Sequence, residues 1–155
     1  MRAGVVRLYT MKINRIDHVG IVVNDLAAVK EFFLALGLEV MGQGEVTGEW
    51  AGRIIGLQDV KSEVIMLQTP DGETNIELSK FHSPTDPNGI QPSLSNTLGI
   101  RHITFAVEDV EAIVAKMEKH GAELVGELLN YQDTYKLCYL RGPEGIILEL
   151  AERIG

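Results

Sequence analysis

Ile16-Asp17-His18-Val19-Gly20-Ile21-Val22-Val23-Asn24-Asp25-Leu26 decides the fold of this chain, because it occurs twice. It returns as Ile100-Arg101-His102-Ile103-Thr104-Phe105-Ala106-Val107-Glu108-Asp109-Val110, with His, Val and Asp at matching offsets. The register persists, since Gly37 stands as far from His18 as Gly121 does from His102. Each copy also closes alike, on Pro70-Asp71-Gly72 followed by Ile76-Glu77-Leu78, and on Pro143-Glu144-Gly145 followed by Leu148-Glu149-Leu150. Two His and two Glu at paired positions point to one metal site built across a pseudo-twofold axis.

Periodicity turns each copy into elements. Val19, Ile21 and Val23 alternate with His18, Gly20 and Val22, the period of a strand. Asp25 is a helix N-cap, and Leu26, Val29, Phe32, Phe33 and Leu36 recur at helical spacing until Gly37. The second copy predicts a strand over 101–107, a cap at Asp109, a helix carrying Val110, Ile113, Val114 and Met117, and a stop at Gly121. Strands follow at 38–41, 52–57, 62–68 and 74–80, then at 122–128, 135–140 and 146–151. The unit is βαβββ, used twice, in an α+β fold. The division is an N-terminal extension over 1–13, a first module over 14–80, a linker over 81–99 and a second module over 100–152. Residues 1–10 precede a second methionine, Met11, and match neither copy.

Parity decides where the polar residues point. Ile76 and Leu78 face one side of their strand and Glu77 the other; Leu148 and Leu150 likewise oppose Glu149. With the aliphatic faces packed under the helices, His18, Glu77, His102 and Glu149 are aimed into one concavity. Imidazole nitrogen and carboxylate oxygen suit a divalent Ni, Co, Mn, Zn or Fe ion, and an octahedral ion keeps open positions for water or substrate. His120, in the last helical turn before Gly121, and His82, in a Pro-rich connector, lack that pairing and are structural or solvated.

Composition bounds the remaining classes. A chain of 155 residues buries about 70% of its unfolded surface, enough for one core. A net charge of -8 without clustered Lys or Arg argues against nucleic acid. There is no apolar run of membrane-spanning length and no signal-peptide layout, so a cytoplasmic protein is expected. Cys138 is the single cysteine, which excludes an internal disulfide and a cysteine-based zinc site; its Leu137-Cys138-Tyr139-Leu140 context predicts core packing. The stretch 42–53, with the single tryptophan Trp50, reads as a lid or as a loop anchored by that ring. Tyr135, Leu137 and Tyr139 share one strand face, cleft or core.

These motifs resemble the vicinal oxygen chelate superfamily (glyoxalase, bleomycin resistance and dioxygenase proteins). The resemblance runs over 14–152 and is carried by Ile16-Asp17-His18-Val19-Gly20, Asn75-Ile76-Glu77-Leu78, Ile100-Arg101-His102-Ile103 and Gly142-Pro143-Glu144-Gly145 through Ile147-Leu148-Glu149-Leu150. It implies a U-shaped, partly closed mixed sheet around a cleft, a divalent metal held by His18, Glu77, His102 and Glu149, a small-molecule substrate that chelates it through neighbouring oxygens, and commonly a homodimer. The four-ligand set is similar to the glyoxalase and epimerase branch, whose lyases and isomerases move a proton next to a carbonyl; Glu149 or Glu77 would then act as the base. Ring-cleaving dioxygenases would need only His18, His102 and Glu149. A thiol transferase on the same metal and a ligand-sequestering resistance protein are the other readings. Glutathione-using bacterial members carry an Arg four residues after the first His and an Asn four after the first Glu, where this chain has Val22 and Phe81. That argues against glutathione unless Arg101, Arg53 or Lys136 supplies the charge. An epimerase would need a second acid, for which Glu49 and Glu63 are the candidates.

Overall fold

The computed structural model describes residues 11–155; the expectation for residues 1–10 falls outside the described residues. The chain runs β1 (His18–Val22), α1 (Leu26–Leu36), β2 (Glu39–Thr47), α2 (Glu49–Ile55), β3 (Lys61–Gln68), β4 (Asn75–Ser83), β5 (His102–Val107), α3 (Val110–Lys119), β6 (Glu123–Leu124), β7 (Leu129–Tyr131), β8 (Tyr135–Arg141), a 3-10 turn (Pro143–Gly145) and β9 (Ile147–Arg153). Two mixed sheets result, ordered β1-β4-β3-β2 and β5-β9-β8-β6, with β7 also paired to β8. β1 lies parallel to β4 and β5 parallel to β9, and the other pairs are antiparallel. Neither sheet closes. No helix among the described residues is long and apolar enough to cross a membrane.

The repeated Asp residues start both repeat helices. Asp25 accepts a hydrogen bond from the Ala28 backbone N–H at 3.0 Å, and Asp109 from that of Ala112 at 3.1 Å. Each cap satisfies one of the donors that a helix N-terminus leaves without an intrahelical partner. Asp25→Ala and Asp109→Ala are each expected to lower stability by about 1 kcal/mol in urea unfolding. Gly37 closes α1 with φ 118°, a left-handed conformation that a side chain would strain.

One core serves both halves. Val29, Phe32 and Phe33 of α1, Val114 and Met117 of α3, Ile76 and Leu78 of β4 and Leu148 and Leu150 of β9 form a single buried cluster. Phe32 and Phe33 meet edge to face with centroids 5.7 Å apart, and the Phe32 ring lies so close to Gly142 that a Cβ there would sit 2.9 Å from it. A second tie is polar. The Glu144 carboxylate accepts from the Asn24 and Asp25 backbone N–H groups at 2.6 and 2.8 Å, joining the turn before β9 to the start of α1. Glu144 adopts φ 57° to do so, and the two bonds offset that strain.

Several local expectations differ from the structure. Residues 52–57 are not a strand: Glu49–Ile55 is helix α2, opened by Gly48 at φ 107° and closed by Gly56 at φ 77°. Ala51 is its buried residue, whereas the alternating pattern of a strand would have buried Ile54 or Trp50. The stretch 42–53 is therefore the end of β2 and the start of α2, and Trp50 is 57% exposed rather than buried as a packed anchor. Of the strand expected over 122–128 only Glu123–Leu124 forms, as β6; β7 begins just beyond it at Leu129, and both pair with β8. His82 belongs to β4 rather than to the connector, and its Nε2 lies 2.6 Å from Glu63 Oε2. Beyond Ser83 the connector to β5 contains no helix or strand.

Candidate metal centre

Strand register places the candidate ligands. In the parallel pair β1/β4, His18 lies opposite Asn75 and Gly20 opposite Glu77; in β5/β9, His102 lies opposite Ile147 and Thr104 opposite Glu149. The Glu therefore sits two residues along from the His partner in both sheets, which keeps it on the same face. Ile76, Leu78, Leu148 and Leu150 are buried on the other face, as parity requires. His18 Nε2 comes 3.7 Å from Glu77 Oε2, and His102 Nε2 comes 3.9 Å from Glu149 Oε1.

The other nitrogen of each imidazole is engaged. His18 Nδ1 is 2.8 Å from Asp17 Oδ2, while Arg15 donates to Asp17 Oδ1 at 3.0 Å. The hydrogen bond from His18 holds the Asp17 carboxyl below its ordinary range, with the Arg15 charge acting the same way against desolvation. An ionised carboxylate only accepts, so Nδ1 is the donor in this contact and Nε2 is the nitrogen left on the Glu77 side. In the second sheet the Tyr139 hydroxyl is 3.4 Å from His102 Nδ1, and the two rings lie 4.8 Å apart, tilted by 44°. Hydroxyls hold the carboxylates in turn: Ser79 donates to Glu77 Oε1 at 3.3 Å and Thr104 to Glu149 Oε1 at 2.8 Å.

Each half thus offers two donors of the kind that ligate divalent ions, an Nε2 and a carboxylate on the same side, with the remaining atoms held. The halves are not gathered into one cluster within the chain: no three of the four residues bring donor atoms within 4.8 Å of one another. They belong to separate sheets that share no ladder of hydrogen bonds. His18 and His102 do line a common cavity of about 670 Å³, bounded by β1, the start of β5 and the connector. Glu149 lines a neighbouring cavity of about 430 Å³ together with Tyr139. The one acidic cluster that meets the 4.8 Å distance among the described residues is Asp109, Glu111 and Glu152. Its charges are already used, since Glu152 accepts from the Val110 N–H at 2.9 Å and Lys136 donates to Glu111 at 2.9 Å.

The remaining candidates sort by position. Cys138 is buried, and burial pushes its thiol above the ordinary range, so it packs rather than reacts. Glu63 is held by His82, and Glu49 lines a cavity around α2 together with Arg53 and Lys61. Arg101 donates to the Thr97 and Leu98 carbonyls of the connector. Tyr139 lies directly across from Glu149, which assigns the Tyr135, Leu137 and Tyr139 face to the cleft. Asp17, Ser79, Thr104 and Tyr139 were not singled out as partners from the sequence. Asp17 carried a signal in its adjacency to His18, whereas Tyr139 carried none until β8 was paired with β9.

Comparison with known proteins agrees with this architecture. A model of the Glyoxalase/Bleomycin resistance protein/Dioxygenase superfamily matches residues 15–150. A crystal structure of a glyoxalase family protein from Bacillus cereus is 45% identical and superposes with a TM-score of 0.89, covering 93% of this chain and 97% of that one. The uncharacterized protein YwbC of Bacillus subtilis is 30% identical over 90% of this chain and 98% of its own length. The trypanothione-dependent glyoxalase I of Leishmania major, 23% identical with a TM-score of 0.62 over 90% of this chain and 87% of that one, shares the fold. With the repeat, the paired sheets and the match over nearly the whole length in agreement, the chain belongs to the Glyoxalase/Bleomycin resistance protein/Dioxygenase superfamily.

Proposed function

We propose that the protein is a metal-dependent enzyme of lyase or isomerase type that moves a proton next to a chelated carbonyl or hydroxyl of a small substrate. The observation that carries this reading is the pair of equivalent His–Glu contacts, His18 with Glu77 and His102 with Glu149, at equivalent register in the two sheets. His18, Glu77, His102 and Glu149 would hold one divalent ion, Ni, Co, Mn, Zn or Fe, which requires the two pairs to come closer together than they stand in the single chain. Such an ion supplies Lewis-acid polarisation of the substrate oxygens. Glu149 is the residue we assign to move the proton. Thr104 occupies its Oε1, which leaves Oε2 as the acceptor. Glu77 is the second carboxylate of the set and the alternative base.

Glu149→Gln keeps an oxygen donor but cannot accept the proton. It is expected to lower the rate of exchange of the carbon-bound proton of α-hydroxy ketones and α-hydroxythioesters in deuterium oxide by about 10²- to 10⁴-fold, followed by proton NMR. Undiminished exchange in the variant would remove Glu149 from the role. Oxygen consumption with ferrous iron would instead favour the ring-cleaving reading, and unchanged ligand affinity without any turnover would favour sequestration.

A homodimer belongs to the same proposal. Ile16, Leu98 and Ile100, at the approach to β1 and β5, are exposed, Leu98 at 95% and Ile100 at 89%. Apolar side chains so placed beside a cleft mark a surface that is covered in the assembled protein. Sedimentation equilibrium is expected to give twice the chain mass of 17.1 kDa. Leu98→Glu combined with Ile100→Glu is expected to shift the protein to the monomer.

A further inference from the structure

The cavity beside Glu149 has a chemical character of its own. Its wall is Val125, Leu129, Tyr131, Leu137 and Tyr139, with the Glu149 carboxylate at one side. At about 430 Å³ it falls in the size range of small-molecule pockets, and its composition of apolar side chains with a few polar groups is the usual one. The other charged group in the lining is the acid Glu127; among the described residues no Lys or Arg lines it. The nearby cations are committed elsewhere. Lys136 alternates with Leu137 to the opposite face of β8 and pairs with Glu111. Arg141, two residues beyond Tyr139, turns to the Gly145 carbonyl at 3.2 Å, and Arg101 is bound to the connector. Arg53 and Lys61 line the separate cavity around α2.

We infer that this cavity receives an uncharged apolar group, aromatic or branched aliphatic, carried by the substrate whose oxygens meet His102 and Glu149. The inference rests on the metal-site reading for the position of the oxygens, and on the wall residues alone for the character of the group. An anionic group here would lose its hydration against Leu129 and Leu137 beside the Glu127 carboxylate, with no Lys or Arg of the described residues in the wall to receive it. Substrates held through a carboxylated peptide or a phosphorylated carrier in this pocket are therefore disfavoured. Tyr131 and Tyr139 are among the lining residues, and aromatic side chains pair favourably with an aromatic ring.

Calorimetry on the nickel-loaded protein with three hydroxamates tests this. Acetohydroxamate carries the paired oxygens alone, benzohydroxamate adds a neutral ring, and 4-carboxybenzohydroxamate adds a charge to that ring. Benzohydroxamate is expected to bind about ten- to hundredfold more tightly than acetohydroxamate, from the apolar area removed from water, and the carboxylated compound is expected to lose that gain. Leu129→Lys, at a position exposed enough to leave folding intact, should abolish the advantage of the neutral ring and restore the carboxylated one. Equal affinity for acetohydroxamate and benzohydroxamate, or tighter binding of the carboxylated compound to the unaltered protein, would overturn the assignment. Failure of acetohydroxamate to bind would instead count against the metal reading. The pocket is then decided on metal-free protein with the neutral dye Nile red, whose fluorescence must rise on binding and fall back in Leu129→Lys; no rise would overturn it.

Discussion

Glu77→Ala and His102→Ala are each expected to release the bound metal, although the two residues lie on different sheets. Elemental analysis of the protein purified without chelator should find about one Ni, Co, Mn, Zn or Fe per chain, and neither variant should retain it. The reasoning is geometric. Each His–Glu pair offers two donors, and an ion held by two donors with the rest of its shell in water binds weakly; the four together make a site. Loss of one donor should weaken binding by at least about a hundredfold, since even outer partners of ligands are worth 10–100-fold. Asp17→Asn should fall in that lower range, because it leaves His18 in place but loosens its tautomer and orientation. All three positions are on the surface of the cleft, so thermal unfolding of the metal-free variants should match that of the metal-free parent. Retention of half the metal in each variant would mean two independent two-donor sites. Absence of metal from the parent even after reconstitution would leave the fold as a binding module.

Phe33→Ala is expected to be the most damaging single change away from the cleft. Phe33 is fully buried, edge to face with Phe32, in the cluster shared by both sheets and both repeat helices. Truncating such a ring costs about 3–5 kcal/mol in lost transfer energy and residual cavity. Against the 5–15 kcal/mol typical of a whole domain, that is about a third of the mid-range total, a large shift for a single side chain. Because the core is continuous, urea should unfold the two halves in one transition, and the variant should shift its midpoint without splitting it. Trp50→Ala is the contrasting control: a large ring, but exposed, and so expected to change stability by no more than about 0.5 kcal/mol. A cost for Phe33→Ala below about 1 kcal/mol, or two separate transitions, would show that the halves do not share a core.

Much of this architecture is written in local periodicity. The alternation in Ile16 through Val23, the cap at Asp25 and the stop at Gly37 each act over a few residues, so they could be read in order along the chain, and twice. The facing of Glu77 and Glu149 followed from parity, since a strand buries alternate residues whatever its partner is. Local reading misled where a short apolar run had no clear period: Trp50, Ala51, Ile54 and Ile55 are compatible with either element, and the glycines at 48 and 56 bound a helix.

Which side chains meet was decided only in three dimensions. That His18 meets Glu77 and His102 meets Glu149 depends on the parallel pairing of β1 with β4 and of β5 with β9, contacts between residues distant in the chain. Tyr139 entered the site because β8 lies beside β9 in a register that sets it across from Glu149. The separation of the four candidate ligands into two pairs follows from the same cause, since β1 and β5 lie in different sheets. Sequence by itself determined the repeated unit, its caps and the face on which each candidate ligand sits, because those follow from the backbone's own period. The tertiary structure decided their partners and spacing, because strand register is set by hydrogen bonds and packing that no neighbouring residue specifies.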